Sequence, residues 1–148
     1  MSTNTGNDAL KILLVEDSPV DAQLVRMALS DHAIRHDLTL LDDGHKALTY
    51  ASEMKNASGA MCPDVVLLDM NVPPTDGATI LKEIRKCPDC ANTPVIVVSC
   101  SDTSAERGRM AALGANRYVK KAMDLTEAMQ LGEIVLDVLQ ERKAPVTV

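Results

Sequence analysis

Five short runs of strand character punctuate the chain: Ile12–Val15, Leu38–Leu41, Val65–Leu68, Val95–Val98 and Arg117–Val119. The intervals between them are amphipathic and of helical length, which predicts helices over about Pro19–Ser30, Gly44–Lys55, Gly77–Lys86, Thr103–Leu113 and Leu125–Arg142. Local signals support these bounds. Ser18-Pro19 supplies a hydroxyl N-cap with proline at the first helical position, and Asp102 or Thr103 with Glu106 gives a capping-box-like start. Gly114 follows Leu113 as a C-terminal stop. In the last helix Leu125, Met129, Gly132, Val135 or Leu136, and Leu139 recur at helical spacing and predict one buried stripe, with Glu127, Glu133, Asp137 and Glu141 on the exposed face. Five strand–helix units in strict alternation predict an α/β fold, a five-stranded parallel sheet covered by helices on both faces.

Two of the apolar runs end on carboxylates. Val65–Leu68 runs into Asp69 and then turns through Asn71-Val72-Pro73-Pro74-Thr75-Asp76-Gly77, and Ile12–Val15 runs into Glu16-Asp17. A carboxylate adds nothing to a core, so a buried strand that delivers one to its end builds a site there. Ligands of open parallel sheets bind at the carboxyl ends of the strands, where the strand order reverses. Three acids converging on one crevice repel one another unless a cation holds them, so the pattern asks for a divalent metal.

Composition narrows the function. The chain of 148 residues suits one domain, taken as residues 8–142 with flexible tails at 1–7 and 143–148. It is acidic, with net charge −6, and its only rings are two tyrosines. It therefore lacks the basic footprint and stacking platforms of nucleic-acid binders. No apolar run approaches the ~20 residues that span a bilayer, and the polar N-terminus has no leader-like apolar region, so a cytoplasmic protein without membrane contact is expected. Among four cysteines, Cys87-Pro88-Asp89-Cys90 fits the C-x-x-C template. It closes a helix, however, instead of opening one after a strand. Cys100 follows a strand while Cys62, Cys87 and Cys90 precede strands, which disfavours a four-thiolate zinc site. The expectation is reduced thiols. His32, His36 and His45 are read as surface residues.

Taken together, Glu16-Asp17, Asp69 in its Leu-Leu-Asp-x-Asn-x-Pro setting, Asp76-Gly77, Ser99 and Lys121 resemble the receiver domain of two-component response regulators over about Lys11 to Arg142. The wording Leu-Leu-Val-Glu-Asp-Ser-Pro-Val-Asp is most similar to the small stand-alone regulators that partner bacterial phytochromes. The resemblance implies a flavodoxin-like doubly wound fold. It implies that Asp69 accepts a phosphoryl group from a sensor histidine kinase, with a bacteriophytochrome as one candidate. Mg²⁺ would be held by Asp17, Asp69 and the Asn71 backbone carbonyl, and by Glu16 through a water. Lys121 would bind a phosphoryl oxygen. Lys120 points to the other side of its strand under the period-two rule. Ser99 would donate to the phosphoryl group and Tyr118 would follow it as the switch. Three departures stand out. Ala122 replaces the usual proline, which makes a cis peptide there costly at ~2.5–4 kcal/mol. Met123 replaces a common aromatic. Cys100 is bulkier than the common Ala or Gly, and is expected to hinder the hydrolytic water.

With six residues left after Arg142, the expectation is a stand-alone receiver that is not an enzyme beyond slow self-dephosphorylation. Output would run through protein contact, with a homodimer possible across the face of the fourth helix, fifth strand and fifth helix. The alternatives are a phosphorelay intermediate feeding a histidine phosphotransferase and an unphosphorylated pseudo-receiver scaffold. A haloacid-dehalogenase-type phosphohydrolase needs a general acid two residues after its nucleophile, where Asn71 stands and cannot protonate a leaving group. A flavodoxin-like nucleotide binder needs a Gly-rich phosphate loop after the first strand, and there is none.

Overall fold

All five expected strands form, each one or two residues longer than its apolar run. In the computed structural model, which describes residues 9–56 and 62–143, they are β1 (Leu10–Val15), β2 (His36–Leu41), β3 (Val65–Asp69), β4 (Val95–Ser99) and β5 (Arg117–Lys120). They pair in parallel in the order β2-β1-β3-β4-β5. That is the doubly wound order whose reversal falls between β1 and β3, the two strands that end on acids. Register carries them level, with Val15 opposite Leu68 and Asp69 opposite Val98.

The helices are α1 (Pro19–Asp31), α2 (Gly44–Asn56), α3 (Gly77–Arg85), α4 (Ser104–Ala112) and α5 (Leu125–Lys143). Alternation along the strands sorts the core into two layers. Leu13, Val15, Val66 and Leu68 face α2, α3 and α4 through Ala47, Ala51, Ile80, Leu81, Ile84 and Met110. Ile12, Leu14, Val65 and Leu67 face α1 and α5 through Ala22, Leu29, Val135, Val138 and Leu139. β3 is buried along its whole length, as a central parallel strand must be.

The N-caps are those expected from the sequence. Ser18 Oγ accepts from the Asp21 amide, and Thr103, not Asp102, caps α4 by accepting from Glu106. Gly114 takes a left-handed φ of 106°. His45 is exposed, whereas His32 and His36 are half-buried with a ring nitrogen on a backbone carbonyl.

Four expectations need correction. The buried stripe of α5 runs through Gly132, Val135 and Leu139 as expected, in a rotation that completes it with Ala128 and Val138 and leaves Leu125 and Leu136 exposed. The close approach of α1 fixes that rotation, since a Cβ at Gly132 would lie 2.3 Å from His32 Nδ1 and 2.6 Å from the Ala28 carbonyl. Second, the Pro-Pro turn, read as a loop, is a small antiparallel hairpin pairing Asn71–Val72 with Thr75–Asp76 across a cis Pro73–Pro74 bond. Third, Lys143 ends α5, so it does not belong to a tail; residues 1–7 and 144–148 lie outside the described residues. Fourth, the cysteines are not all reduced: Cys62 and Cys90 form a disulfide, with Cα atoms 5.6 Å apart. They meet because Cys62 leads into β3 and Cys90 into β4, and these strands are neighbours. Cys87 is free and buried, and Cys100 is free and exposed. Among the described residues the only cis bond is Pro73–Pro74, so Lys121–Ala122 is trans.

Gly77 opens α3 against the end of β3. Its amide donates to the Met70 carbonyl, and a Cβ there would lie 2.8 Å from the Asp69 carbonyl oxygen and 2.9 Å from Met70 Cα. Both obstacles are backbone. Gly77→Ala is expected to destabilise the fold by about 1–3 kcal/mol, measured as a lower urea midpoint at unchanged slope.

Candidate functional site

The crevice is assembled by the ends of β1, β3 and β5 and the first turn of α1. Glu16 follows β1 and is 4 % exposed; Asp69 closes β3 and is 5 % exposed. Asp17 lies on the solvent side. One oxygen from each of these three carboxylates lies within 4.8 Å of the others. The backbone holds two of them in place: the Ser18 amide donates to Glu16 Oε2 at 3.2 Å, and the Asn71 amide to Asp69 Oδ1 at 3.0 Å.

Lys121 enters from the opposite wall. Its Nζ is 3.1 Å from Asp69 Oδ2 and 3.4 Å from Glu16 Oε1. Its amide donates to the Ser99 carbonyl at 2.7 Å, which fixes the β5 end against the β4 end. Lys120 is exposed and takes no part. The residue that sequence reasoning missed is Asp21, whose Oδ2 is 2.8 Å from Lys121 Nζ. It is the third residue of α1, and the Ser18 cap sets that turn so that its side chain faces back to the strand ends. An acid in the first turn of a helix that begins beside an acidic strand end is the signal that could have found it.

Electrostatics follow from this crowding. Burial, then hydrogen bonding to Asp69 and the charge of Asp69, push the Glu16 carboxyl up to about 8 against the opposing pull of the Ser18 amide and Lys121. Burial pulls the Lys121 pKa down, but hydrogen bonds to Asp21 and Asp69 and the charges of Asp69 and Glu16 outweigh it and raise it above the ordinary lysine value. The site is therefore an excess of carboxylate around one ammonium. Hard oxygen donors in surplus, two of them buried, fit a divalent cation of the magnesium or manganese kind.

Ser99, 5 % exposed, closes β4 beside this group. Its Oγ accepts from the Ser101 amide at 3.1 Å, and the Ser101 carbonyl accepts from the Tyr118 hydroxyl at 2.9 Å. Arg107 covers the tyrosine, with its guanidinium carbon 5.1 Å from the ring centroid and Nη1 donating to the Tyr118 carbonyl. Beyond the charged end, a cavity of about 370 Å³ runs between α1 and α5, past Leu24, Val25, Leu131 and Ile134. Among the described residues no helix is long and apolar enough to cross a membrane.

A doubly wound sheet with acids at its switch point and a lysine facing them defines the receiver class, and comparison agrees. The family model for the response regulator receiver domain matches residues 12–133, and the chain belongs to that family, whose setting is two-component signalling. It is 32 % identical over 129 residues to the response regulator Rcp1 of Synechocystis sp., covering 87 % of this chain and 88 % of that protein. Among solved structures it is similar to the phosphorylated cyanobacterial phytochrome response regulator RcpA, with TM-score 0.77 and 29 % identity, covering 92 % of this chain and 97 % of the other. It is also similar to the Mn²⁺-bound form of Rcp1, with TM-score 0.75 and 29 % identity, covering 94 % and 99 %.

The Glu16 shift has a measurable sign. An acid whose folded pKa lies above its ordinary value of 4.5 contributes stability that is complete below about pH 4.5 and is lost as pH rises through about 8. Cation-free protein is expected to melt a few degrees lower at about pH 8.5 than at about pH 5.5, and Glu16→Gln to flatten that difference. Millimolar Mg²⁺ is expected to restore the melting temperature at the higher pH. Scanning calorimetry with and without chelator checks both; a pH slope that Glu16→Gln leaves unchanged would place the titration elsewhere.

Proposed function

We propose that the chain is a phospho-receiver in which Asp69 takes a phosphoryl group from a phosphohistidine of a sensor histidine kinase. The observation that carries this reading is a buried strand-end carboxylate with an ammonium at 3.1 Å and two further carboxylates alongside. An Asp69 oxygen attacks phosphorus as the P–N bond to imidazole breaks, and the imidazole nitrogen keeps the electron pair and takes a proton. Lys121, already charged, pairs with a phosphoryl oxygen. Asp17, Asp69, the Asn71 carbonyl and, through a water, Glu16 would hold Mg²⁺. That ion supplies neutralisation of the phosphoryl oxygens, which lets a carboxylate approach an anionic phosphorus. The phosphorylated RcpA and Mn²⁺-bound Rcp1 structures support both halves of the reading, and the phytochrome-linked relative points to a bacteriophytochrome as one candidate kinase in the cytoplasm.

The output follows from two hydrogen bonds in series. The phosphoryl group adds about −1.5 to −2 charges and three strong acceptors. Ser99 turns its hydroxyl toward them and gives up the Ser101 amide. Ser101 is also the acceptor for Tyr118, so the loop into α4 and the ring respond together. The face of α4, β5 and α5 is then the signalling surface, to a partner protein or to a second copy, with Leu136 exposed on α5. The chain is a phospho-acceptor that at most hydrolyses its own aspartyl phosphate slowly.

Intact mass after incubation with a small phosphodonor tests the chemistry. One added phosphoryl group is expected in the presence of Mg²⁺, none with chelator, and none on Asp69→Asn. Addition to Asp69→Asn would overturn the assignment. A second measurement concerns Cys100, exposed beside Ser99. Cys100→Ala is expected to lose its phosphoryl group several-fold faster than the parent, because the smaller side chain opens the path of the attacking water; equal rates would remove Cys100 from the account.

A further inference from the structure

A second cluster sits at the other end of β3. Cys62, three residues before that strand, is bonded to Cys90 in the 3-10 turn that follows α3. Cys87 lies beside them, and the three sulfurs are all within 4.8 Å of one another. Cys87 and Cys90 are fully buried, packed with Met54, whereas Cys62 is partly open to solvent. The Cys87 thiol donates to the Met54 carbonyl at 3.5 Å. A disulfide alone would be a staple. A third thiol within 4.8 Å of both bonded sulfurs, with Cys62 alone of the three open to solvent, is an arrangement that thiol–disulfide exchange can use.

We propose that Cys62, Cys87 and Cys90 form a reversible redox site, reduced by a dithiol protein or small dithiol that enters at Cys62, with Cys87 as the thiol that can take over the bond to Cys90. In reduction, a thiolate of the dithiol attacks Cys62 Sγ, the Cys62–Cys90 bond breaks, and Cys90 leaves as a thiolate and takes a proton. The second thiol of the reductant then attacks the mixed disulfide, frees Cys62 and leaves the reductant oxidised. In exchange, the Cys87 thiolate attacks Cys90 Sγ and Cys62 leaves as a thiolate, with no net oxidation. Return to the starting bond from the reduced form needs a peroxide-class oxidant: Cys62 takes its oxygen as a sulfenic acid, and Cys90 displaces that oxygen as water. A zinc site fits less well, because among the described residues the cluster offers three donors and structural zinc takes four.

The consequence lies in what the bond encloses. The 28-residue separation between Cys62 and Cys90 contains all of β3 and α3. Oxidation therefore restrains the segment that ends on Asp69, without touching the acid crevice.

The test equilibrates the full chain in glutathione buffers of graded potential, traps thiols with an alkylating agent and maps them by mass spectrometry. Two alkylated cysteines, Cys87 and Cys100, are expected at the oxidising end and four at the reducing end, with the same curve approached from either side. The oxidised form is expected to melt roughly 10 °C higher. Cys62→Ser is expected to form a Cys87–Cys90 bond under oxidising buffer, whereas Cys100→Ser is expected to behave as the parent. Four free thiols at every potential would overturn the proposal, as would a bond that resists dithiol in the native protein. Free Cys87 and Cys90 in oxidised Cys62→Ser would overturn the exchange role of Cys87. Stoichiometric zinc retained by the reduced chain and blocking reoxidation would overturn it in favour of a metal site. Far-UV circular dichroism and phosphoryl acceptance by each variant separate loss of the bond from loss of the fold.

Discussion

One ammonium among four carboxylates governs this molecule. Lys121 Nζ lies within 3.4 Å of Glu16, Asp21 and Asp69, with Asp17 next in the cluster. A lone buried carboxylate is costly, and breaking a buried pair leaves an uncompensated charge. Lys121 makes the burial of Asp69 tolerable, yet one positive charge cannot satisfy so many negative ones. The fold answers in two ways: it keeps a proton on Glu16 to unusually high pH, and it leaves Asp17 and Asp21 at the solvent edge. The residual demand for positive charge is one that a divalent cation can meet.

The surrounding backbone serves that arrangement. The β1–β3 register brings Glu16 and Asp69 to the same level, and the Asn71 amide fixes one oxygen of Asp69 while Lys121 takes the other. Gly77 lets α3 begin against the Asp69–Met70 peptide. The Asp76 side chain caps that helix through the Thr79 amide, which also holds its carboxyl below the ordinary aspartate range. On the far side, Arg85 donates to the Thr93 and Gly114 carbonyls and to Asn116, binding the approaches to β4 and β5 together. The strand ends that carry Asp69, Ser99 and Lys121 are thus set by backbone and cap contacts.

Sequence patterning makes the five strands, the five helices and the acid crevice legible, because each rests on short-range signals: apolar runs, caps, and acids at strand ends. Where it goes astray, the deciding contact is long-range. The stripe of α5 is read correctly at Gly132, Val135 and Leu139 but wrongly at its first turn, where Leu125 is exposed, because the contact of Gly132 with Ala28 and His32 at the end of α1 sets which side faces in. The Pro-Pro turn hides a hairpin since its strands are two residues each and proline argues against ladders. Cys62 and Cys90 stand apart in the chain because the segments they lead into, β3 and β4, become neighbours only when the sheet is assembled. Asp21 carries a local signal, its place in the first turn of α1, but its partner Lys121 is 100 residues away in the chain.

The Asp21 contact also bears on how phosphorylation is felt. Lys121 holds its two shortest bonds to Asp21 at 2.8 Å and Asp69 at 3.1 Å. In the proposed reaction a dianionic phosphoryl group arrives on Asp69, and a hydrogen bond between two ionised groups is the stronger the more charge its acceptor carries. Asp21 is about one-third exposed, so water can take over its solvation at little cost, whereas the buried phosphoryl oxygens have few other donors. On that reading Lys121 would shift from Asp21 to the phosphoryl group. The first turn of α1 would then lose one of its contacts as Ser99 released Ser101 on the other side of the crevice. One added charge would thus act on α1 and on the β4–α4 loop together, through the single lysine that partly neutralises the resting site.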